Sequence, residues 1–192
     1  ITINAQSKTN FNVAEGSAYT SAEYSATVKP EHAIQTVTWE VVDRTTGQAV
    51  SGITFNCNKI TVANSVAAKL YNLKVRATST DHTPAGQPEI SSDWKNLTVN
   101  VVKLGIDGKD SIAYADTSES NSAERTFTPT YTPTSFKGAL TWYITKTDGT
   151  AIPGVSMNSS GQLVINGSAT VAGEYNAKVY AKGELTKGEY VT

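Results

Sequence analysis

The side chains able to act as nucleophile or base are few in this chain. Cys57 is its only thiol, and His32 and His82 are its only imidazoles. Nucleophilic catalysis needs a Ser, Thr or Cys held beside a base that takes its proton. Both histidines fall in polar stretches read as loops, and neither has a counterpart in the second half of the chain. Cys57 falls in a tight turn whose aligned second-half residue is Ser159. The expectation is surface side chains, with no catalytic residues and no cofactor.

Carboxylates and aromatic rings offer two other chemistries. Asp107, Asp110 and Asp116 lie close together in sequence, and Glu15 or Asp43 would have to join them to hold a cation. Calcium takes six or more oxygen ligands, and no D-x-D-x-D-G run supplies them. Asp107 and Asp110 are the nearest approach to a metal pair, and no metal is expected. Rings could stack on sugars. Trp39 and Trp142 share one repeated position with inward parity, so core packing is expected of both. Trp94 has no counterpart, lies beside the polar stretch 79–92, and is the one candidate for a surface contact, against the plainer reading of a lone surface aromatic without a role. Asn96, Asn158 and Asn166 each head an N-x-S/T triplet, a glycosylation signal only in a secreted eukaryotic protein.

Composition sets the elements that must position these residues. Thr, Ser, Asn, Val and Tyr are plentiful while Leu and Met are scarce, which favours half-buried strands and polar turns. The expected fold class is all-β. A net charge of −1 with 17% charged residues provides no cationic surface for nucleic acid or for an anionic membrane. No apolar run reaches the length of a membrane helix, no signal segment opens the chain, and direct membrane insertion is not expected. A start at Ile1 rather than Met reads as a processed or excised end. A single cysteine leaves no internal disulfide and no statement about redox compartment.

The 192 residues also repeat. Thr27-Val28-Lys29-Pro30 through Val37-Thr38-Trp39 aligns with Thr130-Tyr131-Thr132-Pro133 through Leu140-Thr141-Trp142 at an offset of 103 (142 − 39). Tyr71-Asn72-Leu73-Lys74-Val75-Arg76-Ala77 aligns with Tyr175-Asn176-Ala177-Lys178-Val179-Tyr180-Ala181 at 104 (175 − 71). Apolar residues alternate within these blocks, as they do on strands with one buried face. Val37, Trp39 and Val41 are expected inward, as are Leu140, Trp142 and Ile144. Tyr71, Leu73, Val75 and Ala77 form a second inward row, matched by Tyr175, Ala177, Val179 and Ala181. Two domains are expected, 1–103 and 104–192, with a short linker near Lys103 to Gly108. Few residues follow Tyr180, so the second domain is expected to be truncated at its last strand.

A Trp on a mid-domain strand and a Tyr opening the penultimate strand mark the core and the tyrosine corner of an immunoglobulin-type sandwich. Trp39 with Tyr71, and Trp142 with Tyr175, fit those positions and are expected in the two structural cores. The second half adds Ile152-Pro153-Gly154-Val155, Ser160-Gly161-Gln162-Leu163 and Ala172-Gly173-Glu174-Tyr175-Asn176-Ala177-Lys178-Val179. In these features the chain resembles the immunoglobulin-like and cadherin-like modules repeated in large bacterial surface proteins.

The resemblance implies two tandem immunoglobulin-like β-sandwich domains outside a cell or on its surface. Their role would be structural or adhesive, with partners among cell-surface proteins or glycans and the neighbouring domains of a parent chain. Two alternatives stand beside it. One is an accessory or carbohydrate-binding module of a secreted glycan-degrading enzyme. The other is a phage virion or tail-fibre decoration domain, on the strength of Gly105-Ile106-Asp107-Gly108-Lys109-Asp110. A hydrolase is the remotest class.

Overall fold

The computed structural model describes residues 1–4, 9–81, 88–108, 125–166, 169–171, 173–186 and 189–192. They form strands, turns and loops, with no α-helix among the described residues. The chain divides into two compact units, Ile1–Val102 and Lys103–Thr192.

The first unit opens with β1 (Thr2–Ile3), β2 (Asn10–Ala14), β3 (Tyr19–Thr20) and β4 (Ala26–Thr27). It continues through β5 (Val37–Asp43), β6 (Ile53–Asn56), β7 (Lys59–Val62), β8 (Lys69–Ser79) and the first part of β9 (Lys95–Asp107). β5, β8 and β9 pair antiparallel in that order, and β2 adds to β9 in parallel. A second sheet has the order β3-β7-β6, and β1 pairs with β4. Alternation decides which side chains turn inward. Leu73, Val75 and Ala77 of β8 and Leu97, Val99 and Val101 of β9 are buried, while the residues between them are not. Phe11 and Val13 of β2, Val41 of β5, Ile53 of β6 and Ile60 and Val62 of β7 complete one core drawn from both sheets. Burying each such side chain contributes about 1.5–3 kcal/mol. Ser21 and Ser92, both buried, close the edges: each hydroxyl accepts an N–H, from Ile60 and Ala77 respectively.

In the second unit the remainder of β9 pairs with β10 (Thr128–Thr132), placing Lys103 opposite Thr132 and Asp107 opposite Thr128. Residues 103–107, expected as a linker, are therefore strand. Their side chains lack the alternation that marks β8, and their pairing comes from a partner more than twenty residues further on. β11 (Leu140–Lys146), β14 (Ala177–Thr186) and β15 (Glu189–Val191) make one antiparallel sheet, and β12 (Val155–Met157) pairs with β13 (Leu163–Ile165). Trp142, Ile152, Leu163, Ala181, Leu185 and Val191 are buried.

The aligned positions repeat backbone hydrogen bonds as well as residue types. Tyr24 N–H donates to the Asn58 carbonyl, as Phe127 N–H does to that of Gly161, both at 2.8 Å. Ala63 N–H donates to Gly52 O and Asn166 N–H to Gly154 O, at 2.8 and 2.7 Å. Trp39 stands opposite Ala77, and Trp142 opposite Ala181. The burial expected of the second inward row does not repeat throughout. Ala177 is exposed and Val179 half-buried, where Leu73 and Val75 are enclosed. Alternation gives a side chain its direction, but burial needs a neighbouring strand to cover it.

Candidate functional site

Trp39 lies beside an open cleft of the first unit. It is half-buried against the core, and its ring stacks on Phe55 at 5.2 Å and 14°. Tyr24 meets both rings edge-on, at 5.8 Å from Trp39 and 5.3 Å from Phe55. The indole Nε1–H donates to Asn58 Oδ1 at 3.1 Å. Asn58 is held there by a two-residue hairpin between β6 and β7, in which Cys57 and Asn58 both have positive φ, 46° and 59°. That is the geometry of a type I′ turn, whose twist suits paired strands. Beside this cluster runs an open cleft of about 570 Å³, lined by Glu23, Tyr24, Ser25, Gln35, Trp39 and Asn58.

Some of the polar groups of the cleft are spent on the fold. The Gln35 amide accepts from Val28 N–H at 3.0 Å and donates to the Val28 and Ala33 carbonyls. Burial pushes the Tyr24 phenol up to about 12, with Tyr19 adding to the shift, so it stays a neutral hydroxyl. Glu23 and Asn58 line the cleft beside the half-buried ring of Trp39. Such a surface suits stacking and hydrogen bonding to a polar ring or an extended peptide.

Trp94 forms a second surface. It is 37% exposed, and its ring lies under the Lys74 ammonium at 4.8 Å and the Arg76 guanidinium at 4.6 Å. Arg76 also pairs with Glu40 at 2.9 Å, directly opposite it on β5. The indole is thus engaged by cations of its own chain, each contact contributing about 0.5–1 kcal/mol at an exposed site. At the aligned register the second unit replaces the Glu40–Arg76 pair with stacked Tyr143 and Tyr180, 5.0 Å apart at 10°, and Lys182 lies over Tyr143. Sequence reading did not single out that pair. Its signal was available in the outward positions of the two aligned strands.

The remaining expected residues separate. Trp142 is buried and lies against the backbone of Gly161, where φ is +77° and a Cβ would come within 2.8 Å of the indole. Tyr71 is half-buried and packs on the core, and its hydroxyl donates to the Ala67 carbonyl at 3.0 Å. Tyr175, expected in the core, is 37% exposed, and its hydroxyl donates to the Val171 carbonyl at 2.7 Å. It ties a corner and fills no core, because no described side chain encloses its ring.

Asp107 is exposed at the end of β9, while Asp110, Asp116 and His82 lie outside the described residues. Glu15 accepts from Ala68 N–H. Asp43 accepts from the N–H groups of Thr45 and Thr46, bonds that hold its carboxyl below its ordinary value. Among the described residues no three His, Cys, Asp or Glu side chains gather as a metal site. His32 and Cys57 are exposed in turns, and the Cys57 thiol donates to Asn56 Oδ1.

No family model and no curated protein sequence matches the chain. No helix among the described residues is long and apolar enough to cross a membrane.

Proposed function

We propose that the chain is a non-catalytic structural or adhesive segment of an extracellular surface protein, built from two tandem immunoglobulin-like sandwiches. The observation that carries this reading is the pair of tyrosine ties. Tyr71 and Tyr175 occupy the same repeat position, and each hydroxyl reaches back four residues to a backbone carbonyl. That is the tyrosine-corner geometry of immunoglobulin-type sandwiches. The first unit supports it further, with sheet orders β3-β7-β6 and β5-β8-β9 and an early strand, β2, running parallel to the closing β9. The exposed thiol of Cys57 donates its hydrogen bond to the Asn56 amide, a partner that does not take its proton.

The test has two parts. An antibody to the chain should label intact source cells, and the purified protein should turn over no ester, peptide, glycoside or phosphate substrate. Turnover that disappears with Cys57→Ala would overturn the reading.

A second reading, a glycan-binding accessory module, is favoured by the aromatic cleft at Trp39. Titration with a panel of oligosaccharides separates the two. Saturable binding that is lost in Glu23→Gln, with the fold retained, would establish the accessory module instead.

A further inference from the structure

The ladder between β5 and β8 fixes which backbone groups of β5 remain free. Thr80 N–H donates to the Thr36 carbonyl and Arg44 N–H to the Asn72 carbonyl, at 3.1 and 2.9 Å. Antiparallel pairing alternates along a strand, so the even-numbered residues from Thr36 to Arg44 turn their N–H and C=O groups towards β8. Those of Val37, Trp39, Val41 and Asp43 turn the other way, to the edge where β5 ends the sheet. At Asp43 the chain fills that edge itself: the N–H donates to the Gln48 carbonyl at 2.8 Å, and the carbonyl accepts from Gly47 N–H at 2.9 Å. At Val37, Trp39 and Val41 no described residue does so. Val37 and Trp39 also line the open cleft, with Glu23.

We propose that the outer edge of β5 from Val37 to Val41 accepts an extended segment of a partner protein that carries lysine or arginine, seated in the cleft lined by Trp39 and Glu23. The proposal rests on the adhesive reading above and names its kind of partner. Free N–H and C=O groups recur along this edge about every 6.8 Å, a spacing that another strand meets in full. Charge then selects among peptides. Of the side chains lining the cleft only Glu23 is charged, and it is exposed and in neither of the two ion pairs found among the described residues.

The second unit supplies the contrast. Leu140, Trp142 and Ile144 of β11 align with Val37, Trp39 and Val41, and Phe127 aligns with Tyr24. Thr126 therefore stands where the first unit has Glu23, and Trp142 is buried against Gly161. That edge has neither the carboxylate nor a half-exposed indole beside it.

The probe is a short acetylated, amidated peptide alternating lysine and valine, added to the full chain and followed by residue-resolved hydrogen exchange. Exchange at Val37, Trp39 and Val41 is expected to slow about tenfold when the free peptide is at about ten times its Kd. Thr38 and Glu40, already bonded to β8, should change little. The same peptide N-methylated at every peptide nitrogen should protect nothing, and Glu23→Gln should weaken binding about threefold, the size of an exposed ion pair. No protection, or equal protection by the N-methylated peptide, overturns the proposal. Binding unchanged in Glu23→Gln does so too, because the partner's charge would then be immaterial. Equal protection at Leu140, Trp142 and Ile144 would reveal adhesion common to any open edge, and the cleft would have no part in it. If the three amides are already protected in the free protein, or become so as its concentration rises, the chain or a second copy fills the edge and the proposal falls. Oligosaccharide binding at the cleft without peptide protection assigns the cleft to a glycan and sinks it as well. Failure of the peptide alone leaves the surface reading standing, since that is decided by turnover and by labelling of intact cells.

Discussion

At the scale of single residues, aligned tryptophans do different work in the two units. Trp142 is buried on the backbone of Gly161, while Trp39 is half-buried and hydrogen-bonded to Asn58 beside an open cleft. Trp142→Ala should cost about 3–5 kcal/mol in its unit, and Trp39→Ala less, about 2 kcal/mol. Chemical denaturation followed by hydrogen exchange in each unit measures both. Equal costs would contradict the difference in burial. Tyr24 supplies a pH dependence. Its folded value of about 12 lies above the ordinary 10.0, so the neutral form is favoured in the folded state and stability is complete below pH 10. As the pH rises from 10 to about 12 the unfolded phenol ionises first, and roughly 2–3 kcal/mol is lost. Tyr24→Phe should flatten that part of the stability curve. The two tryptophans were legible in the sequence from parity and repeat. Their unequal burial was not, because it depends on what replaces Asn58 at the aligned turn, namely Gly161.

At the scale of elements, the hairpins and corners are where residue type and backbone agree most closely. Cys57 and Asn58 both adopt positive φ, which a non-glycine residue enters at a cost of about 1–2 kcal/mol. Asn is better suited than Cys to the first position of a type I′ turn. Cys57→Asn should therefore raise the thermal midpoint of the first unit, and a fall would argue against the turn geometry. Each corner tyrosine donates one hydrogen bond, so Tyr71→Phe and Tyr175→Phe should each cost about 1 kcal/mol. A tight turn at Cys57 and inward rows on β5, β8 and β11 could be read from turn residues and period-two alternation. The parallel pairing of β2 with β9 could not, because it joins segments almost ninety residues apart and leaves no local trace. The exposed cleft at Glu23, Gln35 and Asn58 was equally hidden, being assembled from three separate elements.

At the scale of the whole molecule, each unit carries its own enclosed set of side chains, and among the described residues the first set is the larger. Amide exchange should be slowest at Leu73, Val75 and Val99, and faster at Ala177 and Val179, which have β11 on one edge and no described strand on the other. The border drawn from composition fell in a polar stretch of which residues 103–107 are strand. β9 changes partners within its own length: residues up to Val102 belong with β8 and β2, and those from Lys103 to Asp107 with β10. For recombination, natural or engineered, the safe place to cut is thus inside a strand and not after it. A gene fragment opened at Lys103 would carry the mate of β10 with it. One opened at Gly108, where the glycine would invite the scissors, should yield a second unit that β10 can no longer join, a loss readable as missing protection at Thr130 and Tyr131.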